Sequence, residues 1–132
     1  MPVKIDPVPD EPIVVVTFEG HIDLETVRNM FVETAIVFAK FDGDVYRIAD
    51  IRTADTDFVD IVKMIKAIRD GLPASSIDPR MHGIFVGQKQ FARLYADFVK
   101  QLGGAPIPIF ATMEDALEYA HLQLQSAKPT EN

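Results

Sequence analysis

The stretch that decides the fold is Val45–Gly71, VYRIADIRTADTDFVDIVKMIKAIRDG. Its first part, Val45–Ile51, is dense in β-branched residues and predicts a central strand. A polar turn is expected over Arg52–Thr56. Asp57, or Asp55, is then placed to cap a helix whose apolar residues recur at helical spacing. The expected buried face of this helix comprises Phe58, Ile61, Met64, Ile65 and Ile68.

The rest of the chain repeats this alternation of strand and helix. A helix capped by Asp23 is predicted upstream, after an N-terminal hairpin. Further strands are expected at Val3–Ile5, Ile13–Phe18, Met81–Val86 and Pro106–Phe110, with helices over Gln88–Leu102 and after Thr112. The order β-β-α-β-α-β-α-β-α predicts an α/β domain: a single-layer mixed, mostly parallel sheet of four to five strands with four helices.

The expected order of strands in the sheet bears on function. If the parallel strands lie side by side in sequence order, all crossover helices fall on one face of the sheet. Such a sheet has no topological switch point, the place where open α/β sheets usually bind ligands. We therefore expect no cofactor. The helix-free face would need cover, which a dimer could supply.

Length and composition set further limits. The 132 residues predict one domain, residues 1–125, followed by a polar tail over residues 126–132. The absence of cysteine excludes disulfides and Cys-based zinc sites. The apolar runs have strand length, so no membrane insertion is expected. The N-terminus has no apolar targeting core, and we expect a cytoplasmic location.

The charge balance disfavours anionic partners. The chain carries 20 acidic and 13 basic residues, for a net charge of -7. An acidic surface repels phosphate backbones and anionic membrane surfaces, and no stripe of Lys or Arg offsets it. We therefore expect no nucleic-acid ligand.

Three segments carry a pattern typical of one group of proteins. Phe18–Asp23 is a strand, glycine and helix start. Tyr46–Arg52 is a central strand with a late Asp, and Ile109–Leu117 leads from a strand through Phe and acidic residues to Ala-Leu. Together they resemble the SpoIIAA-like proteins, a branch of the STAS (anti-sigma-factor antagonist) superfamily, over about Ile13–Leu124. The resemblance implies a non-catalytic regulatory domain that binds a protein partner.

The resemblance also implies a position for a switch residue. In the anti-sigma antagonists, a Ser or Thr at the start of the helix after the central strand is phosphorylated by a partner kinase. The usual context is Asp-Ser, a small residue and Gly. Here the corresponding residues are Asp55, Thr56, Asp57 and Phe58, so Thr56 is the candidate phospho-acceptor. A phosphate there would face a helix N-terminus but lie beside two carboxylates.

The candidate functional loop comprises Asp50, Arg52, Asp55, Thr56 and Asp57. These polar groups are expected on a loop presented by a rigid strand, where binding sites often lie. The alternative interpretation is structural: helix capping plus an Asp–Arg pair. We predict no catalytic residues, and no metal site, because His21, His82 and His121 lack metal-ligand spacing.

Two apolar residues interrupt the polar face of the first helix. Val32 and Ile36 lie one turn apart and could form a subunit contact or be covered by a loop. The preferred function is a protein-interaction domain, expected as a homodimer. The alternative is a small-ligand or lipid-binding domain that uses the space between Phe31 or Phe38 and the sheet.

Overall fold

The computed structural model describes residues 3–127, which form five strands and four helices. The strands are β1 (Val3–Pro7), β2 (Ile13–His21), β3 (Val45–Asp55), β4 (Met81–Val86) and β5 (Ile109–Phe110). The helices are α1 (Leu24–Phe38), α2 (Phe58–Arg69), α3 (Gln90–Gln101) and α4 (Met113–Ala127). The predicted element order and the α/β fold class are confirmed.

The strands lie in the sheet in sequence order, β1-β2-β3-β4-β5. β1 pairs antiparallel with β2, and every other pair is parallel. Pro7 lies on the edge strand β1, where its missing N–H removes no ladder bond from the interior of the sheet. The sequential order confirms that the sheet has no topological switch point.

The two faces of the sheet carry separate apolar clusters. The larger cluster joins one face to α1, α2 and α3, with Phe31 and Ile68 fully buried. The smaller cluster joins the other face to α4 through Ala116 and Ala120. The sequence predicts no helix on this second face, because α4 is not a crossover helix. The structure corrects this: α4 follows the edge strand and folds back over β3, β4 and β5.

Several element boundaries differ from the prediction. β2 continues to His21 and β3 to Asp55, so most of the expected polar turn is strand. The parallel pairing of Glu19–His21 with Thr53–Asp55 after a register shift explains the added length. α4 includes residues 126 and 127 of the expected tail. The rest of that tail lies outside the described residues.

The predicted caps of three helices are confirmed. The Asp23 carboxylate accepts the backbone N–H of Thr26 at 2.9 Å. Asp57, and not Asp55, caps α2, because its carboxylate accepts the N–H of Asp60 at 2.8 Å. The Thr112 hydroxyl accepts from the N–H of Asp115 at 3.2 Å. Each bond satisfies a donor of the first helical turn that has no intrahelical partner.

The apolar face of α2 differs from the prediction at one residue. Ile61, Met64 and Ile68 are buried as expected, but Phe58 is 60% exposed. Phe58 is the first residue of α2, and its backbone directions are set by the cap at Asp57. The expectation for Phe58 is therefore wrong.

Within residues 3–127, no helix combines the length and apolar character that a bilayer crossing requires.

Gly104, after α3, allows a close approach of two segments. A Cβ atom added to Gly104 would lie 2.8 Å from the Ser76 carbonyl oxygen and 2.5 Å from Cγ1 of Val99. The carbonyl belongs to backbone and cannot rotate away. Gly83, in β4, differs: an added Cβ would meet the Ile107 side chain at 3.7 Å, an ordinary van der Waals distance.

We expect Gly104→Ala to lower the free energy of unfolding by about 1–3 kcal/mol, because the new methyl group overpacks the contact with Ser76. Gly83→Ala is the matched control and should change it by less than about 0.5 kcal/mol. Urea unfolding measures both variants. Equal destabilisation by the two substitutions would contradict this packing of the segment after α3.

Candidate functional site

The predicted polar loop divides into two groups along β3. Asp50 and Arg52 form the first group: the Asp50 carboxylate accepts from Arg52 Nε at 3.0 Å and from Nη2 at 2.8 Å. The hydrogen bonds from Arg52 lower the pKa of Asp50. This is the Asp–Arg pair that the structural interpretation expected. Asp50 and Asp55 are about 16 Å apart along the strand, given the rise per residue of a β-strand.

The second group surrounds the N-terminus of α2. Asp57 is the helix cap, and Asp55 is the last residue of β3. The Thr56 side chain lies between them, half-buried, and its hydroxyl donates to the Ile22 carbonyl at 2.6 Å. Modification of Thr56 would therefore break a hydrogen bond that ties the end of β3 to the segment before α1.

His21 joins this second group, although no pattern in the sequence predicts it there. Its Nε2 lies 2.6 Å from an oxygen of Asp60 and its Nδ1 lies 3.4 Å from one of Asp55. The hydrogen bond with Asp60, together with the surrounding carboxylates, raises the pKa of His21. Ligand atoms of His21, Asp57 and Asp60 lie within 4.8 Å of one another, which a metal ion could bridge.

A third polar group lies inside the protein and was not predicted. Arg47, in the middle of β3, is only 4% exposed. Its Nη1 donates to the Ala74 carbonyl at 2.7 Å and to the Thr34 hydroxyl at 3.2 Å. The guanidinium carbon lies 4.6 Å from the centre of the Phe31 ring, an arrangement that favours a cation–π contact. Arg47 thus connects the sheet with α1 and with the loop before β4.

Arg47 holds its charge at an energetic cost. Among the described residues it has no carboxylate within the 4.0 Å of a salt bridge. Burial lowers the pKa of Arg47 from 12.5 to about 10, so the side chain stays protonated at neutral pH. The difference corresponds to roughly 3 kcal/mol against the folded state at that pH. A buried charge without a carboxylate is rare enough to mark a candidate functional site.

Arg47 borders a cavity of about 60 Å³ between the sheet and helices α1, α2 and α3. The lining is mainly apolar. Three residues with hydroxyl groups also line it, Thr56, Ser76 and Tyr95, and the hydroxyls of Ser76 and Tyr95 lie 2.7 Å apart and share a hydrogen bond. Burial raises the pKa of the Tyr95 phenol. The apolar lining residues include Phe18, Ile22, Val27, Met30, Phe31, Ile61, Met64, Phe85, Phe91 and Ile107.

The sequence did contain a signal for Arg47. A charged residue stands in Val45–Ile51 on the same side of the strand as Val45 and Ala49, where alternation places buried side chains. The β-branched residues of this stretch predict a strand and assign no role to Arg47. The candidate functional loop was predicted from its density of Asp and Thr, a signal that a single Arg among apolar residues does not give.

The outer surface of α2 carries three exposed apolar side chains. Phe58, Val59 and Val62 are 60%, 61% and 43% exposed. We call these three residues the α2 surface. On α1, Val32 and Ile36 are 45% and 65% exposed, so no described segment covers them. The alternative that a loop covers Val32 and Ile36 is therefore excluded for the described residues.

Comparison with solved structures identifies the architecture. A protein of the DUF3478 family from Shewanella loihica PV-4, described as having a SpoIIAA-like fold, superposes with a TM-score of 0.57 at 14% identity. The alignment covers 89% of this chain and 90% of that one. This chain has a SpoIIAA-like fold.

A second solved structure agrees. The anti-sigma factor antagonist SpoIIAA, in its unphosphorylated form, gives a TM-score of 0.56 at 18% identity, over 90% of this chain and 97% of that chain. No protein-family model matches the sequence, and no curated protein matches it at a significant level. The resemblance stated from the sequence is thus confirmed at the level of the fold.

We expect Asp60→Asn to lower the pKa of His21 toward its ordinary value, because the charged hydrogen-bond acceptor is lost. In the wild type the raised pKa means that protonated His21 stabilises the fold at pH below about 6.5. This contribution disappears as the pH rises through the folded-state pKa. An NMR titration of the His21 ring measures the shift, with Glu25→Gln as a control that removes an uninvolved carboxylate. A His21 pKa that is the same in all three proteins would contradict the pairing.

Proposed function

We propose that this chain is a non-catalytic regulatory domain that binds another protein through the α2 surface. The observation that carries the proposal is the exposure of Phe58, Val59 and Val62 side by side at the start of one helix. Single exposed apolar residues are common on monomers, but a contiguous group marks a contact site more often. Helix surfaces of this kind bind through a few apolar anchors.

The charges around the α2 surface indicate the chemistry of the partner. Asp55, whose side chain is 78% exposed, and Asp57 lie directly before the helix. A complementary partner has an apolar patch bordered by basic side chains, because opposite charges at the rim steer association and favour the correct partner. The α2 surface is therefore proposed to bind a basic, partly apolar protein surface.

The fold supports this proposal. The solved SpoIIAA is an anti-sigma factor antagonist, and this chain shares its architecture. The candidate polar groups have structural partners: Arg52 for Asp50, Ile22 for Thr56 and Asp60 for His21. These contacts leave little for acid–base chemistry and favour a role without catalysis. Phosphorylation of Thr56, beside the α2 surface, stays a prediction from the resemblance.

A homodimer is proposed through a different surface. Val32 and Ile36 are exposed one turn apart on α1, where two copies could bury them against each other. The covered second face of the sheet removes one reason for a dimer, because α4 supplies that cover. The proposal therefore depends on these two residues alone. A single domain over residues 1–125 and a cytoplasmic location are further proposals from the sequence.

We expect Val59→Glu to weaken partner binding by about tenfold or more, since a charge would replace an apolar anchor. A photo-crosslinking amino acid at position 59 identifies the partner in the source cells. Calorimetry with the purified partner then compares the wild type, Val59→Glu and Leu122→Glu. Leu122 is 52% exposed on α4 and provides the matched control.

The affinities of the wild type and Val59→Glu for the partner decide the proposal for the α2 surface, and Leu122→Glu should bind as the wild type does. Equal affinities of wild type and Val59→Glu for the crosslinked partner would refute it. Light scattering of the wild type and of Ile36→Glu tests the homodimer: the wild type should have twice the chain mass, and Ile36→Glu should have the mass of one chain. A wild-type monomer at all concentrations would refute the homodimer and leave the α2 surface unaffected.

A further inference from the structure

Arg47 has hydrogen-bond donors that the protein does not use. A guanidinium carries five N–H groups, and among the residues that the structure describes only the two on Nη1 have partners, at Ala74 and Thr34. Within residues 3–127, the one enclosed side-chain N or O atom without a hydrogen bond is Nε2 of His82. Nε and Nη2 of Arg47 are therefore not fully enclosed, and Arg47 is one of the residues that line the cavity.

These unused donors define the charge of a suitable ligand. Nε and one N–H of Nη2 form the edge of a guanidinium that binds a carboxylate through two parallel hydrogen bonds. Of the described residues that line the cavity, Arg47 is the only Lys or Arg. A single positive charge balances a single negative charge, whereas a second negative charge would stay uncompensated in apolar surroundings. The chemistry favours a monoanion over a phosphate dianion.

The lining and the size define the rest of the ligand. Aliphatic and aromatic side chains from the sheet and from α1, α2 and α3 form most of the wall, so the ligand has an apolar end. The volume of about 60 Å³ has room for about four to six non-hydrogen atoms of the size of a water molecule. Pockets for larger ligands usually measure several hundred Å³. This size favours a small ligand over a membrane lipid, the other ligand class of the alternative function.

We propose that the cavity bordered by Arg47 binds a short-chain organic monocarboxylate, with its carboxylate on Nε and Nη2 of Arg47 and its alkyl chain among the apolar lining residues. The Ser76–Tyr95 hydroxyl pair offers one more donor at the cavity wall. No bond is made or broken in this role. The site lies beneath the helices and is distinct from the α2 surface, so neither proposal depends on the other.

A purely structural role for Arg47 is the competing explanation. Its bonds to Ala74 and Thr34 do tie the loop before β4 to α1. That role uses Nη1 alone, and it does not require the other edge of the guanidinium to face a cavity. The two explanations differ in one measurable property, which is discrimination between an anion and its neutral analogue.

Calorimetry with sodium butyrate and with butyramide, its neutral isostere, tests the proposal on the wild type. Butyrate has six non-hydrogen atoms and matches the cavity. We expect saturable binding of butyrate, at least about tenfold tighter than that of butyramide, since the neutral amide forms no charge-assisted pair. Equal affinities, or no saturable binding of butyrate, would overturn the proposal. Inorganic phosphate is a third probe, and binding as tight as that of butyrate would overturn the assignment to a monocarboxylate.

Arg47→Met removes the charge and keeps a side chain of similar reach. We expect it to lose the preference for butyrate over butyramide, whereas Arg93→Met, a change of the same charge at an exposed position of α3, keeps it. Unchanged butyrate affinity in Arg47→Met would overturn the proposal. Replacement of a buried ion by an apolar residue often preserves folding. If Arg47→Met does not fold, amide shifts of Gly83 and Ser76 in the wild type decide: butyrate should move them, and a response confined to surface residues would refute the site.

Discussion

The constraint around which this fold is arranged is a guanidinium placed in the interior of the sheet. Arg47 is almost fully buried, so neighbouring groups must compensate the charge where it lies. α1 provides the Thr34 hydroxyl and the Phe31 ring, and the loop before β4 provides the Ala74 carbonyl. Ala74 adopts a left-handed backbone, with φ of 49°, at the point where its carbonyl meets Arg47. Such a conformation persists when surrounding contacts require it.

The order of the strands explains why the candidate sites lie where they do. A sheet without a topological switch point has no crevice at the carboxyl ends of its strands. The polar groups at the end of β3 accordingly pair with one another or cap α2. The proposed interactions accordingly use exposed apolar residues of α2 and α1 on the outside, and the cavity below α1, α2 and α3 on the inside. A shift of α2 would affect both, because Ile61 and Met64 line the cavity from the same helix that exposes Val59.

The sequence predicts local features well and distant contacts poorly. Apolar alternation, helical spacing and caps are local, and they gave the element order and the roles of Asp23, Asp57 and Thr112. The hydrogen bond between His21 and Asp60 joins residues 39 positions apart and depends on the parallel pairing of β2 with β3. Spacing of histidines along the chain could not reveal it. The contacts of Arg47 come from α1 and from the loop before β4, which no single stretch encodes.

The most direct test of this account is the protonation of Arg47 itself. The ¹³Cζ resonance of Arg47, assigned by its absence from Arg47→Met, can be followed by NMR as the pH is raised. A guanidinium desolvated by burial without a carboxylate should begin to lose its proton near its pKa of about 10, while the exposed arginines keep theirs. A resonance that stays with those of the other arginines up to about pH 12 would show that Arg47 is solvated or paired, contrary to this account.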